Sequence, residues 1–162
     1  MPKLDLSQIA ISSGSSYPGK LARAVDGRSW LALGDEGGLS QYGVNLVYLD
    51  PGAASSLRHY QVQQDEFAMV TEGELVLVED EGEIVMRPGD CAAWPAGVEN
   101  GHHLVNRSDT RAAFLVIGTR TPTETVYYSD IDMMVTADET GDHFTKQDGS
   151  PLTADQIGDE ND

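Results

Sequence analysis

The sequence predicts an all-β chain, a single barrel of two facing antiparallel sheets with little helix. Short runs such as VNLVYLD, EFAMV, ELVLVED and AAFLVIGTR are rich in β-branched and aromatic residues, the composition of half-buried strands. Turn clusters (DPG, EDEG, RPGD, RSDTR) close these runs at short intervals, the punctuation of barrels and sandwiches. At 162 residues, 40% of them hydrophobic, the chain is one domain by size and long enough to close around a core. No apolar run approaches the ~20 residues of a membrane span, and no repeat of solenoid length is visible.

The elements follow in order. Residues 1–42 read as an N-terminal arm with short elements packing on a barrel. The first seventeen are polar and serine-rich, residues 18–29 hold a short strand or turn, and the apolar 30–33 stops in GDEGG, a loop signal. Residues 43–120 are the barrel core. VNLVYLD is a strand ending at Pro51-Gly52, SLRHYQV a second strand, QQD a tight turn and EFAMV the returning strand. ELVLVED and EIVM then form a hairpin across an acidic turn, CAAW is a short strand, and HHLVN and AAFLVIGTR are two more. Residues 121–162 carry C-terminal strands and an acidic tail. TETVYYSDIDMM holds a last strand whose tyrosines and methionines cover a barrel end or a dimer seam. ADETGDHFTKQDGSPL is a loop or hairpin with HFTK as an edge strand, and TADQIGDEND is too poorly apolar to stay ordered.

Candidate chemistry concentrates in two stretches. Residues two apart on a strand share a face, so His59 and Gln61 project together while Arg58, Tyr60 and Val62 go the other way. The returning strand brings Glu66 opposite His59, and HHLVN supplies His102. Two imidazoles, a carboxylate and an amide form a two-histidine, one-carboxylate ligand set with open positions, suited to a divalent transition metal: Fe, Mn, Ni or Zn. The competing reading is a polar barrel interior that holds only water. A cation satisfies all four groups at once, whereas buried polar side chains otherwise need separate partners. His103, adjacent to His102, faces away as a surface or interface residue, and His143 is solvated in a loop. Asn106 either orients the ligand cluster or bonds a nearby turn, and Asp65 caps a turn. Glu99 and Asn100 sit on a loop that reaches the pocket mouth or is merely solvated.

The same residues carry a resemblance. The first stretch is similar to the cupin pattern G(x)5HxH(x)3–4E(x)6G, through Gly52, His59, Gln61, Glu66 and Gly73, with the first histidine one residue late and Gln61 in place of the second. The second resembles G(x)5PxG(x)2H(x)3N, through Gly89, Pro95, Gly97, His102 and Asn106, with two extra residues before the histidine. The chain thus resembles small single-domain bacterial cupins, double-stranded β-helix (jelly-roll) proteins often labelled sugar-phosphate isomerases. The resemblance implies metal ligands at His59, Gln61, Glu66 and His102, with Glu66 also catalytic. It implies a small-molecule substrate, a sugar or sugar phosphate undergoing isomerisation or epimerisation. An Fe(II)-type oxygenase and a non-catalytic ligand-binding cupin are the alternatives. The glycines of both patterns read as backbone positions in turns.

Composition limits the partners. Against 10 Lys and Arg stand 27 Asp and Glu, a formal charge of −17, which repels nucleic acid and anionic membranes. It also weighs against anionic substrates unless a local cation overrides the field, and Arg58, Arg87, Arg107 and Arg111 are scattered. One cysteine, Cys91, excludes a disulfide framework and fits a reducing cytoplasm, with the thiol read as buried and structural. The N-terminus lacks the charged start and apolar core of a secretory signal. Outward Tyr60, Phe67 and Met69 offer an apolar seam, and a homodimer is expected.

Overall fold

The computed structural model describes residues 3–158. Its strands, in chain order, are β1 (Ile11–Ser13), β2 (Arg28–Leu31), β3 (Tyr42–Leu49), β4 (His59–Gln61) and β5 (Glu66–Glu72). They continue with β6 (Leu75–Glu79), β7 (Gly82–Met86), β8 (Cys91–Trp94) and β9 (His103–Val105). The last are β10 (Ala112–Thr119), β11 (Glu124–Tyr128), β12 (Met133–Asp138) and β13 (Gly141–Thr145). One layer is a six-stranded sheet ordered β1-β2-β3-β10-β5-β8. A three-stranded sheet, β7-β6-β9, and a four-stranded one, β13-β12-β11-β4, complete the barrel. Antiparallel bridges His59↔His102 and Ala54↔Val105 lay β9 beside β4, so these two sheets make one opposing layer. Every ladder is antiparallel. The fold is the all-β, double-stranded β-helix barrel of two antiparallel layers that the sequence predicted, with helix confined to short turns at its ends.

Alternation builds the core. Val47 and Leu49 on β3, Ala68 and Val70 on β5, and Phe114 on β10 project inward from the large sheet onto Leu75, Leu77 and Leu104 of the facing layer. Leu49, Leu75 and Val70 are among the largest fully buried side chains, each worth about 1.5–3 kcal/mol of hydrophobic transfer. Gly73 turns the chain from β5 into β6 with φ of 73°, and a Cβ there would lie 2.9 Å from Cβ of Ala112. Glycine is required at that turn both for its dihedral and for the close approach. Across the barrel end, Arg58 pairs with Asp80 and Asp130 and donates to the Gly101 carbonyl at 3.3 Å, tying three loops together.

Several expectations are corrected. The stretch SLRHYQV forms a strand only over His59–Gln61, and β4 pairs with β11 rather than with β5. The segment between Gln61 and Glu66 crosses from one layer to the other instead of closing a hairpin. Tyr60 therefore stacks on Tyr127, with ring centroids 5.4 Å apart, in a different layer from Phe67 and Met69, and the three do not share a seam. Cys91 is exposed, not buried: it begins β8, the edge strand, whose inward positions are Ala92 and Trp94. Helix α1 (Leu33–Glu36) replaces the loop read at GDEGG, and α2 (Ala154–Ile157) orders part of the acidic tail. Residues 159–162 of that tail lie outside the described residues.

Candidate metal centre

His59 and His102 meet as a directly opposed cross-strand pair. The His59 amide donates to the His102 carbonyl at 3.2 Å and the His102 amide to the His59 carbonyl at 2.9 Å, which sets both side chains on one face of the layer. Just before His102, Gly101 packs so closely on Ser129 that a Cβ there would collide with its side chain. Glu66 opens β5 in the opposite layer and reaches across the interior. Its Oε2 lies 3.2 Å from His102 Nε2 and 4.0 Å from His59 Nε2. One potential ligand atom from each of the three residues lies within 4.8 Å of the other two.

Hydrogen bonds fix which nitrogens face inward. His59 Nδ1 lies 2.9 Å from the Leu57 carbonyl, and His102 Nδ1 lies 3.1 Å from the Asn100 carbonyl. A carbonyl only accepts, so both Nδ1 atoms carry the proton and both neutral rings present an Nε2 lone pair to the centre. Trp94 stacks on His102 at 3.8 Å between centroids and 5° between planes. Its Nε1 donates to Glu79 Oε1 at 2.7 Å, and Asn100 Nδ2 donates to the same oxygen at 3.1 Å. Glu79 thus anchors both the ring stacked on His102 and the residue whose carbonyl orients it. Burial pushes the His59 pKa down, against the opposing pull of Glu66. Burial alone would raise Glu66, but when the rings also carry a proton on Nε2, a hydrogen bond from His102 and the positive charges of His59 and His102 outweigh it, and the carboxyl ends below its ordinary value.

The residues present fit a divalent transition metal. Two imidazole lone pairs and a carboxylate oxygen aimed at one another repel unless a proton or a cation lies between them. Gln61 shares the β4 face with His59, and its Oε1 is buried without a hydrogen-bond partner among the described residues, an acceptor with no donor. The centre opens on a cavity of about 350 Å³, lined by Trp30, Asn45, Val47, Phe114 and Val116 besides the triad, within the range of small-molecule sites.

Relatives with solved structures share this architecture. A cupin-superfamily protein from Silicibacter pomeroyi, named a sugar phosphate isomerase, is 69% identical, covers 97% of this chain and 100% of its own, and superposes with a TM-score of 0.96. The chain belongs to the cupin superfamily. The family model for the cupin domain matches residues 45–118, the span from β3 through most of β10. A protein from Acidithiobacillus ferrooxidans with a provisional sugar phosphate isomerase name shares the fold at 22% identity, TM-score 0.75, over 88% of this chain and 90% of its own. A polyketide cyclase from Streptomyces resistomycificus shares it at 20% identity, TM-score 0.60, over 74% and 79%. No curated protein matches the chain.

In this cupin the structure gathers His59, Glu66 and His102, and gives Gln61 a place on the His59 strand face. Asn106 is fully buried but bonds the Leu49 and Thr110 carbonyls and the Ser108 amide, so it clamps a turn rather than orienting the ligand cluster. Asp65 accepts from the Ala96 amide at 2.8 Å, its expected capping role. His103 is a correction: it is half-buried, its Nδ1 2.8 Å from the Ser56 carbonyl, and it lines the cavity. His143 is exposed beside Asp138 and Thr140. Sequence reasoning missed Trp94 and Glu79, which reach His102 and its neighbours only through the packing of separate strands. It also missed Arg28, which lines the cavity.

Proposed function

We propose that this cupin is a metal-dependent isomerase or epimerase acting on a sugar or sugar phosphate. The observation that carries the reading is the His59–Glu66–His102 cluster on the wall of the barrel cavity. The sugar phosphate isomerase name of the 69%-identical relative supports the substrate class. His59 and His102 through Nε2, Glu66 through Oε2 and Gln61 through Oε1 would hold Fe, Mn, Ni or Zn as a divalent ion. Such an ion supplies a Lewis acid that polarises a substrate carbonyl. The protein's own part is then proton transfer. Glu66 has a second oxygen, Oε1, that takes a proton from the hydroxyl-bearing carbon beside the carbonyl and returns it to the former carbonyl carbon, while the hydroxyl proton passes to the former carbonyl oxygen, so that aldose and ketose interconvert. The Leu57 and Asn100 carbonyls keep both imidazoles in the ligating tautomer throughout, and the apolar wall of Val47, Phe114 and Val116 limits water around the intermediate.

The test begins with metal. Elemental analysis of protein purified without chelator is expected to find a first-row transition metal, with His59→Ala and His102→Ala each abolishing it and His103→Ala retaining it. Aldose and ketose phosphates incubated with loaded protein in heavy water are expected to take up deuterium beside the carbonyl by NMR. Protein that stays metal-free after incubation with Fe(II), Mn(II), Ni(II) and Zn(II) removes the enzyme reading. Oxygen consumption with the same substrates, without deuterium uptake, would point instead to the oxygenase chemistry that a two-histidine, one-carboxylate set also suits. We further infer a cytoplasmic homodimer. The exposed, unpaired thiol of Cys91 suits a reducing compartment, and an apolar groove on the outer face of the large sheet suits self-association.

A further inference from the structure

Arg28 differs from the arginines of the ion pairs. Arg58, Arg87, Arg107 and Arg120 each pair with a carboxylate, as expected in a chain of net charge −17. Among the described residues no carboxylate lies within ion-pair distance of Arg28, yet Arg28 lines the same cavity as His59, Glu66 and His102. It begins β2, in register with Leu49 of β3. Its Nη1 donates to the Ser55 carbonyl at 2.6 Å and its Nη2 to the Gly14 carbonyl at 2.8 Å. The guanidinium carbon sits 5.3 Å from the centre of the Trp30 ring, which lines the cavity too. These contacts hold the group in place without neutralising it.

A guanidinium has five N–H donors, and two are used. Nε is buried and has no partner among the described residues. A desolvated charged donor without an acceptor is costly, and an uncompensated cation in a cavity wall of low dielectric draws anions inward. A line of contacts along the wall also joins Arg28 to His59. Ser55 contacts Ser56 hydroxyl to hydroxyl at 3.4 Å, and the Ser56 hydroxyl lies 3.2 Å from His59 Nδ1. A ligand that touches Arg28 is therefore held on the same wall as the candidate metal ligands.

We propose that Arg28 is the anion-recognition residue of this cavity. The ligand carries a carboxylate or phosphate that accepts hydrogen bonds from the guanidinium, and its uncharged portion extends toward His59, Glu66 and His102. This overrides the repulsion of the acidic surface locally and accounts for a cation that no acid among the described residues compensates. It rests on the proposed metal centre only for what happens at the far end of the ligand.

The test is calorimetric titration of metal-loaded protein with three five-carbon probes: ribose, ribose 5-phosphate and ribonate. At least one anionic probe is expected to bind about tenfold or more tightly than ribose, the scale of one charge-assisted hydrogen bond. Ribose 5-phosphate ahead of ribonate identifies a phosphate ligand, and the reverse order a carboxylate. Arg28→Gln should erase the preference while leaving ribose binding and metal content unchanged, and Arg28→Lys should restore part of it. Should Arg28→Gln fail to fold, competition by inorganic phosphate against ribose 5-phosphate in the wild-type protein supplies the readout, with displacement expected. Equal binding of ribose and both anions overturns the proposal. So does a preference that survives Arg28→Gln, failure of phosphate to compete where ribose 5-phosphate is the tighter probe, or no anion binding up to about 1 mM. Repeating the titration after chelation separates the two readings. An Arg28-dependent preference in a protein that takes up no metal sinks only the metal centre, and a loaded metal without the preference sinks only the anion site.

Discussion

At the residue scale the metal chemistry turns on Gln61. A neutral amide oxygen is a weaker ligand for late first-row metals than the imidazole of the cupin pattern, yet Gln61 Oε1 is buried and has no partner among the described residues. Gln61→His is expected to tighten first-row metal binding by about 10- to 100-fold, the span that separates good from impaired metal sites. Gln61→Leu should leave thermal stability unchanged or raised, because it removes an unsatisfied polar atom, while metal affinity falls. Competitive chelator titration reads both variants, and a leucine variant that binds metal as tightly as wild type would remove Gln61 from the site. The ligand residues were legible because strand geometry has a period of two, so His59 and Gln61 declare a shared face in the sequence itself. The stacking of Trp94 on His102 and the anchoring by Glu79 were not, since they join separate strands through loops. Arg28 was hidden for the same reason: only the register of β2 with β3 brings it to the cavity.

At the scale of elements, the N-terminal segment does more than lead into the barrel. Tyr17 packs edge-on against Tyr128 at 5.6 Å and Phe144 at 6.1 Å, and its hydroxyl accepts from the Leu57 amide at 3.3 Å. That contact reaches the residue whose carbonyl sets the His59 tautomer. Burial raises the pKa of both Tyr17 and Tyr128, so the folded chain keeps both phenols protonated where an unfolded chain has begun to lose them near pH 10. The unfolded state then binds fewer protons than the folded state, and stability falls with rising pH. It is fully present below about pH 10 and declines above it, by up to about 1.4 kcal/mol per pH unit for Tyr128. Urea denaturation across the alkaline range should show this loss, and Tyr128→Phe should flatten it; an unchanged slope in that variant would assign the loss to other groups. Most strands were legible from composition and turn residues. The hairpin expected between β4 and β5 was not there, because adjacency in sequence carries no information about which layer a strand joins. The crossing after Gln61 is what lets Glu66 face His59 from the opposite sheet.

For the whole molecule the open question is association, and charge and apolar surface pull in opposite directions. Phe67 of β5 stands in register with Ile117 of β10 and Ala93 of β8, and with Tyr42 and Pro95 these line an apolar groove of about 390 Å³. Tyr42 and Phe67 are 42% and 36% exposed, a large apolar investment on a face that an isolated barrel leaves in water. A second copy is the fitting occupant, since two such faces related by a two-fold axis bury the same aromatic and aliphatic side chains against one another. Two copies each carrying −17 repel, however, and that repulsion reaches about 30 Å at 0.01 M salt but only about 8 Å at 0.15 M. The dimer should therefore tighten with salt, the reverse of an interface held by ion pairs. Light scattering at micromolar protein is expected to give a dimer near physiological ionic strength and increasing monomer as salt is withdrawn. Phe67→Glu combined with Ile117→Glu is expected to give monomer at every salt concentration with an unaltered β-type circular dichroism spectrum. A wild-type monomer throughout would refute the dimer, and a double variant that remains dimeric would refute this face as its seam.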